Sequence, residues 1–149
     1  MTLQRAAGTS KSIRVLVVDD YGPWQVFVSI TLRNVPELEI VGKVSDGLEA
    51  VQQAQQLQPD LILLDIGLPT LNGIAVARRI RDVSAASKIL FVSENRSAEI
   101  AEEVLSTGGS GFVVKSDAAS ELLPAVKAVL EGKRFVSAIL AGQFLVARP

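Results

Sequence analysis

The sequence feature that most constrains the fold is the run PDLILLDIGLP at residues 59–69. Four consecutive aliphatic residues lead directly to Asp65, after which Gly67 and Pro69 interrupt the pattern. An unbroken apolar run this short, bounded by Pro and Gly, is typical of a strand buried on both faces of a parallel sheet. Reactive side chains in such sheets lie just beyond the carboxyl ends of the strands, which is the position of Asp65. Taken alone, the run leaves two interpretations of Asp65 open, a reactive carboxylate or the cap of a turn.

The rest of the chain alternates strand-like and helix-like patterns. Apolar runs predict further strands at residues 13–18, 38–44, 88–92 and 111–114. Apolar residues at helical spacing predict helices that begin near Gly22 and Pro23 and that cover residues 46–57, 74–82, 97–107 and 118–131. Five such alternations through short connections predict a doubly wound α/β domain with a five-stranded parallel sheet and right-handed crossovers.

Three segments follow from this pattern. Residues 1–12 are polar and lack periodicity, which predicts a mobile N-terminal tail. Residues 13–133 form the domain, and residues 134–149 form a C-terminal extension that is helical and strongly apolar over residues 135–146. Within the domain we expect Trp24 to pack in or beside the core, Leu48 to face inward, and Pro124 to lie near the first turn of its helix.

The composition excludes several kinds of chemistry. The chain has no Cys and no His, which rules out disulfides, thiol catalysis, His-based triads, zinc held by Cys or His, and a phosphohistidine on this chain. A metal bound by its side chains must be held by oxygen, which favours Mg²⁺, Mn²⁺ or Ca²⁺. The net charge of −1, with scattered Lys and Arg, gives no footprint for direct nucleic-acid binding, and no apolar run is long enough for a membrane span. The lack of Cys fits a cytoplasmic protein.

Polar residues follow four of the five predicted strands. Asp19 and Asp20 follow the first strand, Asp65 the third, Ser93 the fourth and Lys115 the fifth. Because the carboxyl ends of parallel strands share one edge, we expect these side chains to converge. Clustered carboxylates attract a divalent cation, for which Mg²⁺ is the natural choice, and Lys115 adds a positive charge. The group therefore suits a phosphoryl oxyanion, which a carboxylate can accept as an acyl phosphate.

These residues lie in motifs that resemble a known family. VLVVDD, LILLDIGLPTLNG, ILFVS and GFVVKS are together similar to the receiver domain of bacterial two-component response regulators, over about residues 13–134. The resemblance implies a flavodoxin-like three-layer sandwich with strand order 2-1-3-4-5, and phosphorylation of Asp65 by a partner histidine kinase or phosphotransfer protein. It implies Mg²⁺, with Mn²⁺ as a substitute, at Asp20, Asp65 and the backbone carbonyl of Gly67, and at Asp19 through water. The domain would catalyse only its own phosphorylation and dephosphorylation.

The resemblance also implies a switch. Ser93 and Lys115 would contact the phosphoryl group, and Phe112 falls at the aromatic position whose ring moves inward in the switched state. The output surface would be the fourth helix, fifth strand and fifth helix. GKRFVS at residues 132–137 is similar to the subfamily whose receivers precede a helix-turn-helix DNA-binding domain. That similarity implies a role in transcription regulation and leaves open whether this chain is part of a longer regulator or a stand-alone receiver.

Departures from the family pattern and rival interpretations concern a few positions. Ser116 stands where many receivers have Pro, which puts the usual cis peptide in doubt, and Glu94 stands where a small residue is preferred. A haloacid-dehalogenase-type phosphatase needs a second Asp at the position of Gly67. A pseudo-receiver, a binding module that is never phosphorylated, would lack acidic-pocket residues that are present here. The apolar extension at residues 135–146 packs back on the domain, pairs with a second copy or serves as a linker, and we favour a homodimer.

Overall fold

The computed structural model describes residues 12–68 and 71–147. The predicted N-terminal tail therefore lies outside the described residues, apart from Ser12. The elements are β1 (Ile13–Val18), α1 (Gly22–Leu32), β2 (Leu38–Val44), α2 (Gly47–Leu57), β3 (Leu61–Asp65), α3 (Gly73–Val83), β4 (Lys88–Ser93), α4 (Ala98–Leu105), β5 (Gly111–Val114), α5 (Ala118–Leu130), β6 (Phe135–Val136) and α6 (Ala138–Ala147). No helix in this described part is long and apolar enough to cross a membrane.

All six strands pair in parallel, in the order β2-β1-β3-β4-β5-β6. The doubly wound fold and the order 2-1-3-4-5 are thus confirmed, and a short sixth strand extends the sheet beyond β5. In β3, all five residues are buried, as expected of the strand between β1 and β4. The register aligns Asp65 with Val92, so Ser93 lies one residue beyond Asp65 on the neighbouring strand.

The sheet separates two apolar layers, and the side chains of β3 alternate between them. Leu61 and Leu63 belong to a cluster with α1 and α5, whereas Ile62 and Leu64 belong to a cluster with α2, α3 and α4. This alternation follows from the two-residue period of a strand. Helices on both faces bury the sheet, and its carboxyl edge is left for polar side chains.

Local signals in the sequence set several of the helix ends. The side chains of Asp46, Asn72 and Ser97 accept hydrogen bonds from backbone N–H groups in the first turns of α2, α3 and α4. Gly108 and Gly132 have φ values of +100° and +82° and follow α4 and α5, where only glycine adopts such angles at little cost.

Four expectations need correction or comment. Leu48 is 46% exposed, because Gly47 and Ala50 are the residues that α2 buries near its start. Pro124 lies beyond the first turn, in the middle of α5, where its ring is exposed and the helix continues. Residues 135–136, predicted as helix, instead form β6, because the free edge of β5 offers backbone partners. The peptide between Lys115 and Ser116 is trans, as are the other described peptide bonds.

Candidate functional site

The carboxyl edge of the sheet brings the predicted site residues together. Asp19 and Asp20 follow β1, Asp65 ends β3, Ser93 ends β4, and Lys115 follows β5. Asp20, Asp65, Ser93 and Lys115 line an open cleft of about 960 Å³ at this edge. One carboxylate oxygen from each of Asp19, Asp20 and Asp65 lies within 4.8 Å of the other two. Residues from four separate strand ends therefore lie together at one edge of the sheet.

Asp19 is the buried anchor of the pocket. Its side chain is wholly inaccessible, its Oδ1 accepts a hydrogen bond of 2.8 Å from the Tyr21 N–H, and its Oδ2 lies 2.6 Å from Lys115 Nζ. Its backbone carbonyl accepts a hydrogen bond of 2.7 Å from Gln25 Nε2 on α1. Because both carboxylate oxygens and the carbonyl are engaged, Asp19 is fixed in place and orients Lys115.

Asp65 lies at the floor of the cleft and is 7% exposed. Its Oδ1 accepts a hydrogen bond of 3.2 Å from the Gly67 N–H, and its Oδ2 lies 3.9 Å from Lys115 Nζ. Burial raises the pKa of Asp65 above its ordinary value, and the charges of Asp19 and Asp20 act in the same direction. The ammonium of Lys115 and the Gly67 hydrogen bond oppose this rise in pKa. Asp65 is thus a partly desolvated carboxylate, and any added positive charge stabilises its ionised form.

The donor set fits a hard divalent cation. Three carboxylates within 4.8 Å of one another outnumber the single ammonium of Lys115 in the pocket, which leaves net negative charge there. Asp20 is exposed and faces the open cleft, so its oxygens are accessible to an ion that keeps part of its water shell. Oxygen ligands with partial hydration are what Mg²⁺ prefers. The residues present therefore fit a magnesium ion.

Lys115 lies against the ring of Trp24, which pairs with Phe27. Lys115 Nζ lies 5.1 Å from the centroid of the Trp24 ring, within the range of a cation–π contact. The Trp24 and Phe27 rings lie 5.2 Å apart, and Trp24 is 7% exposed. The expectation that Trp24 packs in or beside the core is confirmed. This contact also places the chain's single Trp next to the pocket.

Ser93 presents a hydroxyl to the cleft. Its side chain is buried, and its Oγ accepts a hydrogen bond of 2.9 Å from the Asn95 N–H. An accepting hydroxyl keeps its own proton free to donate, so Ser93 can donate to an oxyanion bound at Asp65. Glu94, which follows it, is exposed and lines the same cleft, where it adds a further negative charge.

Phe112 is fully buried and pairs in register with Phe91 of β4. Its ring belongs to the apolar cluster that includes Val104 of α4 and Leu140 of α6. The predicted switch residue is therefore on the inner side of the α4–β5 region, covered in part by the C-terminal helix.

Sequence reasoning missed the role of Gly73. A Cβ atom at this position would lie 2.5 Å from the Ile66 Cα and 2.7 Å from the Asp65 carbonyl oxygen. The first turn of α3 therefore packs directly against the backbone that carries Asp65. The dipeptide Asn72-Gly73 is by itself a turn signal. It also marks this close approach of two backbone segments.

Comparisons with known proteins agree on one family. The family model described as Response regulator receiver domain matches residues 15–127. The chain is 32% identical over 124 residues to the transcriptional regulatory protein DegU of Brevibacillus brevis, covering 83% of this chain and 52% of that protein. It is 28% identical over 131 residues to the response regulator GacA of Pseudomonas viridiflava, covering 88% and 61%. The chain thus spans between half and two thirds of these relatives.

A solved structure of a LuxR-family two-component response regulator from Aurantimonas sp. SI85-9A1 superposes with a TM-score of 0.87 at 28% identity. That match covers 93% of this chain and 99% of the other.

Proposed function

Because this chain belongs to the family of response regulator receiver domains of two-component systems, we propose that Asp65 accepts a phosphoryl group from a partner phosphohistidine. The observation that carries the proposal is the pocket itself. A buried Asp65 carboxylate lies 3.9 Å from the Lys115 ammonium and within 4.8 Å of the Asp19 and Asp20 carboxylates, beside an open cleft. The donor would be a sensor histidine kinase or a phosphotransfer protein, since this chain has no His.

The chemistry of the proposed step is a simple displacement. A carboxylate oxygen of Asp65 forms a bond to phosphorus while the P–N bond of the donor breaks, and the imidazole nitrogen keeps the electron pair. Lys115 is close enough to pair with a phosphoryl oxygen, and Ser93 has a free proton to donate to another. These contacts stabilise charge where it accumulates, which is how phosphoryl transfer is chiefly accelerated.

We propose Mg²⁺ as the cofactor, with Mn²⁺ as a substitute. Asp20, Asp65 and the backbone carbonyl of Gly67 would hold it directly, and Asp19 would reach it through water. Both oxygens of Asp19 already have partners in Tyr21 and Lys115, which favours an indirect role, whereas Asp20 is exposed. When bound, the ion would supply positive charge to the phosphoryl oxygens.

We further propose that phosphorylation acts through Ser93 and Phe112. Movement of the Ser93 hydroxyl toward the phosphoryl group would change the space beside Phe112 on the neighbouring strand β5. Because Phe112 shares its buried cluster with α4 and α6 residues, a shift of its ring alters the surface made by α4, β5 and α5. The domain would then serve as the regulatory part of a transcription regulator, as the name of its relative, the transcriptional regulatory protein DegU, suggests. A homodimer stays a prediction, since the described start of the extension packs on its own domain.

Intact-mass spectrometry after incubation with acetyl phosphate and Mg²⁺ tests the proposal. The wild type should gain the mass of one phosphoryl group, and Asp65→Asn should gain none. Asp60→Asn is a matched control, because Asp60 is an exposed carboxylate at the opposite end of β3. It should be modified like the wild type.

The adduct should also be lost on treatment with hydroxylamine, as an acyl phosphate requires. An unmodified wild type, under conditions in which a known receiver is phosphorylated, would refute the proposal and favour the pseudo-receiver.

A further inference from the structure

Ser137 continues the sheet where β6 stops. β6 pairs with β5 only through Phe135 and Val136, opposite Gly111 and Phe112. The Ser137 N–H then donates a hydrogen bond of 2.9 Å to the Phe112 carbonyl, and its Oγ accepts one of 2.8 Å from the Val114 N–H. Ser137 is wholly buried. Its side chain thus takes the place of a strand residue beside Val114, directly before Lys115.

The same hydroxyl also binds α5. Ser137 Oγ donates a hydrogen bond of 2.5 Å to Glu121 Oε1, and the Ala138 N–H donates one of 3.0 Å to Glu121 Oε2. The carboxylate therefore lies at the N-terminus of α6, where negative charge is favourable. Because the hydroxyl both accepts and donates, its orientation is determined.

These contacts clamp the segment that carries Lys115. The chain passes from Val114 through a single 3₁₀ turn, Lys115–Asp117, into α5 and on to Glu121. One side chain, Ser137, binds both ends of that segment, at the Val114 N–H and at the Glu121 carboxylate. The geometry of the pocket depends on the same segment, since Lys115 Nζ must reach Asp19 and Asp65.

We propose that Ser137, held by Glu121, is a positioning residue for Lys115, and that the C-terminal extension thereby sets the rate at which Asp65 is phosphorylated. This inference rests on the proposed function. Loss of the Ser137 hydroxyl removes the partner of the Val114 N–H and frees the backbone immediately before Lys115. The ammonium then spends less time between Asp19 and Asp65, so the phosphoryl step slows. Direct ligands of the ion lie on other strands, so the affinity for Mg²⁺ changes little.

The experiment compares Ser137→Ala with the wild type in the full chain. Three quantities are measured: the initial rate of acetyl phosphate modification at saturating Mg²⁺, the Mg²⁺ concentration at half-saturation, and the fluorescence of Trp24. We expect the rate to fall about five-fold, the ratio that corresponds to one net hydrogen bond. We also expect a changed Trp24 emission, because Lys115 Nζ lies 5.1 Å from its ring, and an unchanged Mg²⁺ half-saturation.

Two controls separate positioning from stability. Ser120→Ala removes an exposed hydroxyl from α5, the helix that carries Glu121. That hydroxyl donates a hydrogen bond to the Asp117 carbonyl. Val35→Ala truncates a buried residue in the turn after α1, in the apolar layer shared by α1 and α5, and serves as the control for lost stability. Both variants should keep the wild-type rate at a temperature where they are folded, and Ser120→Ala should also keep the wild-type Trp24 emission.

Each outcome is decisive. If the wild type is not phosphorylated, the proposed function fails first. If the wild type is phosphorylated and Ser137→Ala matches it in rate and emission, the positioning role is overturned. Should Ser137→Ala fail to fold, Glu121→Ala replaces it, since that side chain is only partly buried. For Glu121→Ala, a phosphorylation rate roughly two-fold slower than that of the wild type, with altered Trp24 emission, supports the proposal, because the Ser137 contact is weakened. A wild-type rate and wild-type emission for Glu121→Ala overturn it.

Discussion

Replacing Lys115 with methionine removes the ammonium that lies 2.6 Å from Asp19 Oδ2 and 3.9 Å from Asp65 Oδ2. Among the described residues, no hydrogen bond reaches Asp19 Oδ2, so this ion pair is its partner. The side chains of Lys115 and Asp19 are 12% and 0% exposed, so the charge left behind is buried. The variant therefore measures what the cation contributes to holding the acidic pocket together.

The magnitude follows from charge and burial. At 3.9 Å, two unit charges interact by about 4 kcal/mol at an effective dielectric constant near 20 and by about 1 kcal/mol in bulk water. Desolvation of the ammonium offsets several kcal/mol of the gross attraction, and removing one partner of a buried pair costs about 3–5 kcal/mol. The cleft is open to water, and Asp65 can take up a proton to relieve repulsion. We therefore expect a loss of about 3 kcal/mol in the free energy of unfolding, at the lower end of that range.

The assay is urea unfolding at pH 7 followed by far-UV circular dichroism, with EDTA and with Mg²⁺. Ligand at 100 times its dissociation constant stabilises a protein by about 2.7 kcal/mol. Because the ion no longer competes with an ammonium, Mg²⁺ should stabilise Lys115→Met more than the wild type.

Lys133→Met is the matched control. Lys133 Nζ lies 3.8 Å from Glu131 Oε1, but these side chains are 73% and 38% exposed. Its stability should stay within about 0.5 kcal/mol of the wild type. A Lys115→Met protein as stable in EDTA as the wild type, or one that gains less from Mg²⁺, would refute the reasoning.

Three further perturbations test the pocket. Burial raises the pKa of Asp65 above its ordinary value of 3.8, so the folded protein holds this proton more tightly than the unfolded chain does. We therefore expect the urea midpoint of unfolding of the wild type, measured in EDTA, to fall relative to that of Asp65→Asn as the pH rises from 3.8 through the raised pKa. A relative rise of the wild-type midpoint would contradict this. Glu94→Ala should be modified by acetyl phosphate roughly two- to five-fold faster, because an exposed charge that repels the donor is removed, and equal rates measured by mass spectrometry would dismiss the idea. Gly73→Ala should lose about 1–3 kcal/mol in urea unfolding and be modified more slowly, since its Cβ meets the backbone of Asp65. Gly22→Ala, whose Cβ meets no atom within 4 Å, should match the wild type on both measures.

Local patterns in the sequence predict much of the fold. The apolar run before Asp65 has strand length and strand composition, and the residues at its ends break it, so β3 could be located from its own residues. Parallel pairing then brings Asp65, Ser93 and Lys115 to one edge, a consequence of topology that needs no side-chain detail. For that reason, the sequence alone predicts that these residues lie together.

Other features depend on contacts that local patterns do not encode. Leu48 was predicted to face inward from its apolar character, yet α2 buries Gly47 and Ala50, whose small size gives a weak periodic signal. Phe135 and Val136 continue an apolar run that suits a helix, and only the free edge of β5 makes them a strand. The partners of Ser137 lie 23 and 16 residues away, so no short window contains them.

The two borders of the sheet also bear on aggregation. β2 forms one border, where a register shift beside Val15 interrupts the ladder and the exposed side chains of Glu39 and Lys43 are charged. At the other border, β6 is two residues long and the hydroxyl of Ser137 takes up the next free N–H of β5. In the described part of the chain, β6 is too short to offer the long row of unpaired amides that templates intermolecular strand addition, and the longer β2 carries charged side chains and a register shift that disfavour it. These features of the two edge strands disfavour edge-to-edge pairing of the sheet with the sheet of another molecule.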